Sequence, residues 1–294
     1  MLNVLIFGVT GQVGWALTNV PEAQEFNLIT LSRDQADFCK PTEIYSAVIN
    51  CRPDVVVNAV AYTAVDKAEN DLEIADYVNA RSVAVLARAC SELDVPLIHI
   101  STDYVFDGKA DRPYKESDSV SPLGVYGQTK LKGEAEVGMA AEKYIILRSS
   151  WIFGIHGNNF VKTMLKLAKE RDEIRVVSDQ YGCPTYAGHI AETIWEIIRK
   201  YQNEGSLPWG IYHLADSPGC SWFEFACCIV EQAKELSFMQ KIPSVQPIST
   251  EQYPTPAKRP AKSVLDCRKL ESLLGRQMFD WNSGLKHTLH HLNS

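Results

Sequence analysis

The chain has no surplus of basic residues: 29 Lys and Arg stand against 36 Asp and Glu, a formal net charge of −7. Nucleic acids and anionic membrane surfaces are held by excess Lys and Arg, so no polyanionic or membrane partner is expected. Nor is there a run of the roughly 18 apolar residues that a membrane span needs. The opening Met1-Leu-Asn-Val-Leu-Ile-Phe7 lacks the basic region and the apolar length of a signal segment, and the expected location is the cytoplasm. The eight cysteines (Cys39, Cys51, Cys90, Cys183, Cys220, Cys227, Cys228, Cys267) form no C-x-x-C pair, and several lie in apolar runs. They read as small buried hydrophobes of a reducing compartment, with neither a disulfide framework nor a structural zinc. His287, His290 and His291 cluster near the C-terminus with no Cys or carboxylate beside them to complete a ligand shell, so no metal is expected. Internal repeats and low-complexity tracts are also missing.

What is present is the make-up of a folded globular protein: 294 residues, 46% hydrophobic and 22% charged, enough for one large domain or two small ones. Apolar runs rich in Val and Ile, namely Leu2–Phe7, Leu28–Leu31, Val55–Val60, Leu97–Ser101 and Tyr144–Arg148, read as strands buried on both faces. Amphipathic stretches at Thr42–Cys51, Asp71–Leu93 and Tyr126–Glu142 alternate with them. The alternation predicts right-handed βαβ units, hence an α/β fold with a doubly wound, mainly parallel Rossmann-type sheet. Beyond Trp151 the helices predicted at Asn159–Glu170, Tyr186–Tyr201, Trp222–Leu236 and Trp281–Leu292 are separated by proline-bearing loops, which reads as a smaller mixed α/β lobe. The expected division is a dinucleotide-binding domain over 1–151, also receiving 186–215, and a substrate-binding lobe over 152–294. Ligands of such sheets sit at the carboxyl ends of the strands, where the second lobe would close a cleft.

Gly8-Val-Thr-Gly11-Gln-Val-Gly14 follows the first strand and opens a helix. Glycines there permit a tight turn, close approach of a pyrophosphate and close packing of helix on strand, while the helix N-terminus offers N–H groups and the positive end of its dipole. Gly8, Thr10, Gly11, Gln12, Val13 and Gly14 are therefore expected to bind a dinucleotide. After the second strand, where an acid would grip the adenosine ribose of NAD, stands Leu31-Ser32-Arg33. Arg33 can pair with a 2′-phosphate, which favours NADPH, with NADH as the alternative; Asp37 could accept from the adenine amino group. Phe38, Ala59, Ala61 and Tyr62 complete the expected cofactor lining.

Tyr126 and Lys130 stand four apart at the start of the helix after the fourth strand, which puts phenol and ammonium on one helix face. A neighbouring ammonium lowers a phenol's pKa from about 10 and fits it to give a proton near neutral pH. Thr102, ending the fourth strand, lies where its hydroxyl could bond the same substrate oxygen, and Asp103 beside it is assigned to the substrate. Thr102, Tyr126 and Lys130 beside a nicotinamide make a site for interconverting carbonyl and alcohol. In the second lobe Lys258-Arg259-Pro-Ala-Lys262 is the densest cationic patch, and the planar guanidinium of Arg259 suits a pyrophosphate. Asn159 either caps the following helix or touches substrate.

These residues carry a resemblance. Phe7–Trp15, Asn58–Glu69, Ser101–Gly108, Val125–Lys130 with Gly133-Glu134, Ser149–Trp151, Asp179–Thr185 and Pro254–Pro260 are similar to the extended short-chain dehydrogenase/reductase superfamily, and within it to reductases of dTDP-linked 4-keto-6-deoxy sugars. The resemblance implies NADPH-dependent reduction of a 4-keto group, the last step towards dTDP-L-rhamnose. In it Tyr126 gives the proton, Lys130 holds the nicotinamide ribose, Thr102 orients the carbonyl, and Thr63 and Trp151 line the sugar pocket. Some relatives carry a glutamate after the tryptophan of the glycine turn and build a metal-bridged dimer with it; here that position is Ala16, which puts such a dimer in doubt and leaves a plain homodimer open. A dehydratase would follow the threonine with Asp-Glu, whereas Thr102-Asp103 is followed by Tyr104. Reduction of another nucleotide-linked 4-keto-6-deoxy sugar, or a non-catalytic NADP-binding regulatory subunit, stand as alternatives.

Overall fold

The computed structural model describes residues 1–239, 241 and 243–293. Its centre is a six-stranded parallel sheet built from β1 (Asn3–Phe7), β2 (Asn27–Leu31), β3 (Val55–Asn58), β4 (Leu97–Thr102), β5 (Tyr144–Ser149) and the strand Gly210–His213. Across the sheet the order is Gly210–His213, β5, β4, β3, β1, β2. The inner strands are buried on both faces, which is why they read as unbroken apolar runs. Helices α1 (Gln12–Asn19) and Ala187–Glu204 cover one face, where Leu17, Ile190, Ile194 and Trp195 meet Val4, Ile6 and Val57. Helices α2 (Pro41–Cys51), Ser82–Glu92 and Val125–Ala140 cover the other, through Ile44, Val48, Leu86 and Val137. Helix α2 opens with Pro41, whose missing N–H costs nothing in the first turn, and Ala187–Glu204 ends at Gly205 with φ +74°.

The second lobe packs Phe160–Glu170, Trp222–Glu235 and Trp281–Asn293 around Phe153, Val161, Phe225, Ile229 and Leu285. Ser221 and Glu224 form a capping box that starts Trp222–Glu235. Two strands not expected from the sequence, Glu173–Val177 and Ser244–Ile248, pair in parallel here. Pro247 lies in one of them, which an edge position tolerates. The edge strand Gly210–His213 and the helix Arg268–Leu274 were likewise not expected.

The single helix expected over Asp71–Leu93 is instead three segments: Leu72–Asp76, a π-helical turn Tyr77–Arg81, and Ser82–Glu92. The wide turn carries Asn79 inward, where its Oδ1 accepts from Tyr62 N–H at 2.8 Å and its Nδ2 donates to Thr129 Oγ1 at 3.1 Å. A Cβ at Gly133 would stand 2.1 Å from the Asn79 carbonyl oxygen, so only glycine lets the Val125–Ala140 helix come this close. Among the described residues no helix is long and apolar enough to cross a membrane.

Candidate active site

The glycine turn has the form a dinucleotide requires. Gly8 has φ +86°, and a Cβ on Gly14 would fall 2.1 Å from the Gly8 carbonyl oxygen. Helix α1 begins after Gly11 with no side-chain cap and no acid in its first turn, leaving its N–H groups and positive pole to an incoming phosphate. Val13 packs into the core and offers only its backbone there. The turn's outer edge meets the second lobe: His156 Nε2 lies 3.0 Å from Thr10 O, and Gln12 Nε2 donates to Ile152 O at 3.3 Å.

Arg33 is exposed just past β2, with Nε 3.6 Å from Asp37. The Cys39 N–H, helped by Arg33, holds the Asp37 carboxyl below its ordinary range. The Phe38 ring is buried edge-on against Phe7, where the βα loop uses it to close the core, which leaves its backbone for a cofactor. Ala59 N–H donates to Phe7 O at 3.1 Å, and Ala61 and Tyr62 continue the loop. The Tyr62 hydroxyl donates to Asp71 at 2.6 Å. The open cradle, the uncapped helix start and the guanidinium beyond β2 together fit a phosphorylated dinucleotide.

Thr102 ends β4 with its Oγ1 donating to Asp103 Oδ1 at 3.2 Å and accepting from Tyr104 N–H at 3.2 Å. The Tyr126 phenol lies against Thr102, and the ring of Tyr104 meets it edge-on with centroids 5.5 Å apart. Burial pushes Tyr126 up to about 12, partly offset by Thr102. Here the structure departs from the sequence reading, in which Lys130 lowers that pKa. The buried Lys130 Nζ turns instead to Ile100 O at 2.6 Å and His99 Nε2 at 3.2 Å, since an ammonium-sized group buried under a sheet edge must find acceptors. Burial also brings Lys130 down to about 8, against the opposing charge of Glu134. Asp103 is buried too, its carboxyl raised to about 6 by loss of solvent, with Oδ2 unpartnered. Beneath them Glu134 and Arg148 form a buried bidentate pair, 2.6 Å at the shorter contact, and Ser101 donates to Glu134 at 2.5 Å.

Arg259 lies near Tyr104 and is held by Asp66, Nη2 to Oδ2 at 2.8 Å, with Thr255 and the Ala257 carbonyl as further acceptors. It borders a cavity of about 700 Å³ with Trp222, Tyr253, Gln180, Arg171 and Arg175. Trp151, at φ +45°, stacks on Trp222 with centroids 3.5 Å apart. Thr63 is exposed on the loop after β3. Asn159 caps its helix by accepting from Lys162 N–H at 3.1 Å, and also donates to Gln12. Asn58, His99, Tyr104, Asp66 and Trp222 were missed in the sequence; only Tyr104, following Thr102-Asp103, had a local signal.

A family model described as the RmlD substrate binding domain matches residues 2–294. The curated dTDP-4-dehydrorhamnose reductase of Escherichia coli (strain K12) is 41% identical over 295 residues, covering 99% of this chain and 98% of that protein. That of Aggregatibacter actinomycetemcomitans is 42% identical over 287 residues, covering 97% and 98%. The crystal structure of dTDP-4-dehydrorhamnose reductase from Bacillus anthracis str. Ames in complex with NADP superposes with a TM-score of 0.90 at 35% identity, covering 98% of this chain and 99% of that one.

Proposed function

Because this chain belongs to the RmlD substrate-binding-domain family, we propose that it reduces the 4-keto group of dTDP-4-dehydro-L-rhamnose to give dTDP-L-rhamnose, with NADPH as reductant. It is an oxidoreductase acting on a C=O/CH–OH pair. The observation that carries the reading is the Tyr126 phenol set against Thr102 at the carboxyl end of β4, on the sheet edge that also holds the glycine cradle.

A bound NADPH supplies the hydride; Gly8, Thr10, Gly11, Gln12, Val13 and Gly14 would hold its pyrophosphate, Arg33 its 2′-phosphate and Lys130 its nicotinamide ribose. Thr102 orients the carbonyl by donating to its oxygen. Tyr126 then gives its proton to that oxygen as negative charge develops there. A phenol held at about 12 by burial is protonated at neutral pH, as a reductase needs before each turnover. Asp103 and Thr63 would face the sugar and Trp151 would lie along it, backed by Trp222. Arg259 and the cavity it borders, with Arg175 and Tyr253, suit a doubly charged pyrophosphate and an aromatic base. Residues 1–151 with 186–215 act as the cofactor module and the remainder as the substrate lobe. We place the protein in the cytoplasm.

Mixing the protein with NADPH and dTDP-4-dehydrorhamnose should deplete the nicotinamide absorbance. Unchanged absorbance, with NADPH shown to bind, would instead make the chain a cofactor-binding subunit without turnover.

A further inference from the structure

Asp66 and Glu69 stand on one short helix, Val65–Ala68 with Glu69 as its C-cap, and hold groups on opposite sides of the site. Asp66 reaches the loop Pro254–Pro260 of the second lobe. Its Oδ2 accepts from Arg259 Nη2 at 2.8 Å, and its Oδ1 accepts from Arg259 Nη1 at 3.2 Å and from the Ala257 N–H at 3.1 Å. The Arg259 guanidinium, helped by that N–H, holds the Asp66 carboxyl below its ordinary range, so it is ionised at neutral pH. Glu69 reaches the other way. Its Oε1 accepts at 2.9 Å from the N–H of Val125, the first residue of the helix that carries Tyr126. The first amides of a helix have no acceptor within it, and Gly124 before Val125 has no side chain to cap them, so Glu69 supplies an acceptor from 56 residues away. A Cβ on Gly124 would stand 2.6 Å from Glu69 Oε1, so glycine leaves the carboxylate its place.

The helix between these two carboxylates has little freedom to pivot. Ala68 is fully buried and packs with Ala75 and Val125, beside Tyr62 and Tyr126. Tyr62, on the loop that leads into the helix, donates its N–H to Asn79 and its hydroxyl to Asp71. Past the helix, Asn70 and Asp71 donate their N–H groups to Lys67 O. A shift of Asp66 is therefore also a shift of Glu69, and with it of the helix start one residue before Tyr126.

We propose that Asp66 and Glu69 are positioning residues, two ends of one rigid link that sets Arg259 and Tyr126 in a fixed relation across the cleft. The proposal rests on the reading of Arg259 as a pyrophosphate contact and Tyr126 as proton donor. Binding energy gained at the pyrophosphate, remote from the reacting carbon, then serves to place the carbonyl oxygen against the Tyr126 hydroxyl. A misplacement of about 1 Å at such a site lowers the rate on the order of 10²-fold.

The test first follows amide hydrogen exchange at Val125 in the substrate-free full chain by 15N NMR. With no acceptor in its own helix, that N–H reports the Glu69 contact. Glu69→Ala should speed its exchange, and Glu69→Gln, which keeps an oxygen in place, should restore most of the protection. Asp66→Ala alters neither Val125 nor Glu69, yet should also speed exchange at Val125; an ion pair serving only to tie down the loop Pro254–Pro260 would leave it unmoved. In steady-state reduction of dTDP-4-dehydrorhamnose, each alanine variant should lower kcat with KM for NADPH nearly unchanged, and Asp66→Ala should also raise KM for the sugar nucleotide. The double variant should lose no more kcat than the worse single one, because a link cut twice is the same as a link cut once, whereas independent contributions multiply. Unmoved exchange at Val125 in folded Asp66→Ala, or multiplied losses of kcat, overturns the proposal. Should Asp66→Ala not fold, Asp66→Asn, which keeps an acceptor for the Ala257 N–H and removes the ion pair, takes its place. Exchange that responds as expected in a protein without reductase activity would sink the functional reading and leave the link standing.

Discussion

Asn159 donates to the side-chain oxygen of Gln12 at 3.0 Å across 147 residues of chain, while its own oxygen caps the Phe160–Glu170 helix. One side chain thus ties the Phe160–Glu170 helix to the glycine turn after β1. Asn159→Ala removes the cap and this tie together. The cap alone is worth about 1 kcal/mol, so Tm should fall by a few degrees in a thermal melt. KM for NADPH should also rise, because Gln12 loses the partner that orients it; a lowered Tm with unchanged KM would reduce Asn159 to a cap.

Tyr126→Phe keeps the ring against Tyr104 and removes the hydroxyl, with its proton and its contact to Thr102. Turnover should drop by roughly 10²–10⁴-fold, the usual worth of a general acid, with NADPH affinity from fluorescence titration nearly unchanged. Retained turnover would assign the proton to another group.

Most of this site's frame was legible before any coordinates. The five strands Leu2–Phe7 to Tyr144–Arg148 were visible because parallel strands buried on both faces are apolar throughout, and Gly8 and Gly14 because close backbone approach permits little else. What stayed hidden depends on partners distant in sequence. Helical spacing put Tyr126 and Lys130 on one face, but nothing local says that Lys130 turns to His99 and Ile100 rather than to the phenol. The π turn at Tyr77–Arg81 interrupts an unbroken apolar rhythm because Asn79 must reach Tyr62 and Thr129. Gly210–His213 is only four residues long, too short to show a period.

The buried carboxyl of Asp103 makes stability depend on pH in a definite direction. Its pKa is about 6 when folded against 3.8 ordinarily, so between pH 4 and 6 the folded state binds more protons than the unfolded one. Its contribution is therefore fully present below about pH 4 and is lost as pH rises through 6. Asp103→Asn should flatten that part of the urea-unfolding profile and be more stable at pH 7, by on the order of 1–3 kcal/mol. A variant less stable at pH 7 would show that the hydrogen bonds to the carboxylate from Thr102 and Ser263 outweigh its burial.

Arg33 is exposed just past β2 and only loosely paired with Asp37 at 3.6 Å, and the proposed function gives it the 2′-phosphate of NADPH. Losing a charge-assisted contact of about 1.5–3 kcal/mol, Arg33→Ala should raise KM for NADPH about tenfold or more. KM for NADH should change little, and equal losses for both cofactors would argue against a 2′-phosphate contact.

Glu134 and Arg148 are both almost wholly buried, so each depends on the other for compensation of its charge. Glu134→Ala should cost about 3–5 kcal/mol in urea unfolding, since Arg148 is left charged without its partner. Replacing both, with Arg148→Met and Glu134→Leu, should recover much of that loss; a double variant as unstable as the single one would show that Ser101, and Phe106, whose ring lies 5.2 Å from the Arg148 guanidinium, need the pair in place.

The Gly210–His213 strand pairs with β5 only after the chain has built Phe160–Glu170 and come back along Ala187–Glu204. Cutting the protein after Trp151 would therefore strip the sheet of a border strand and uncover the greasy side that Ile190, Ile194 and Trp195 shield. Such a fragment would be sticky rather than a smaller working copy, and the two lobes must be inherited, expressed and degraded as one piece.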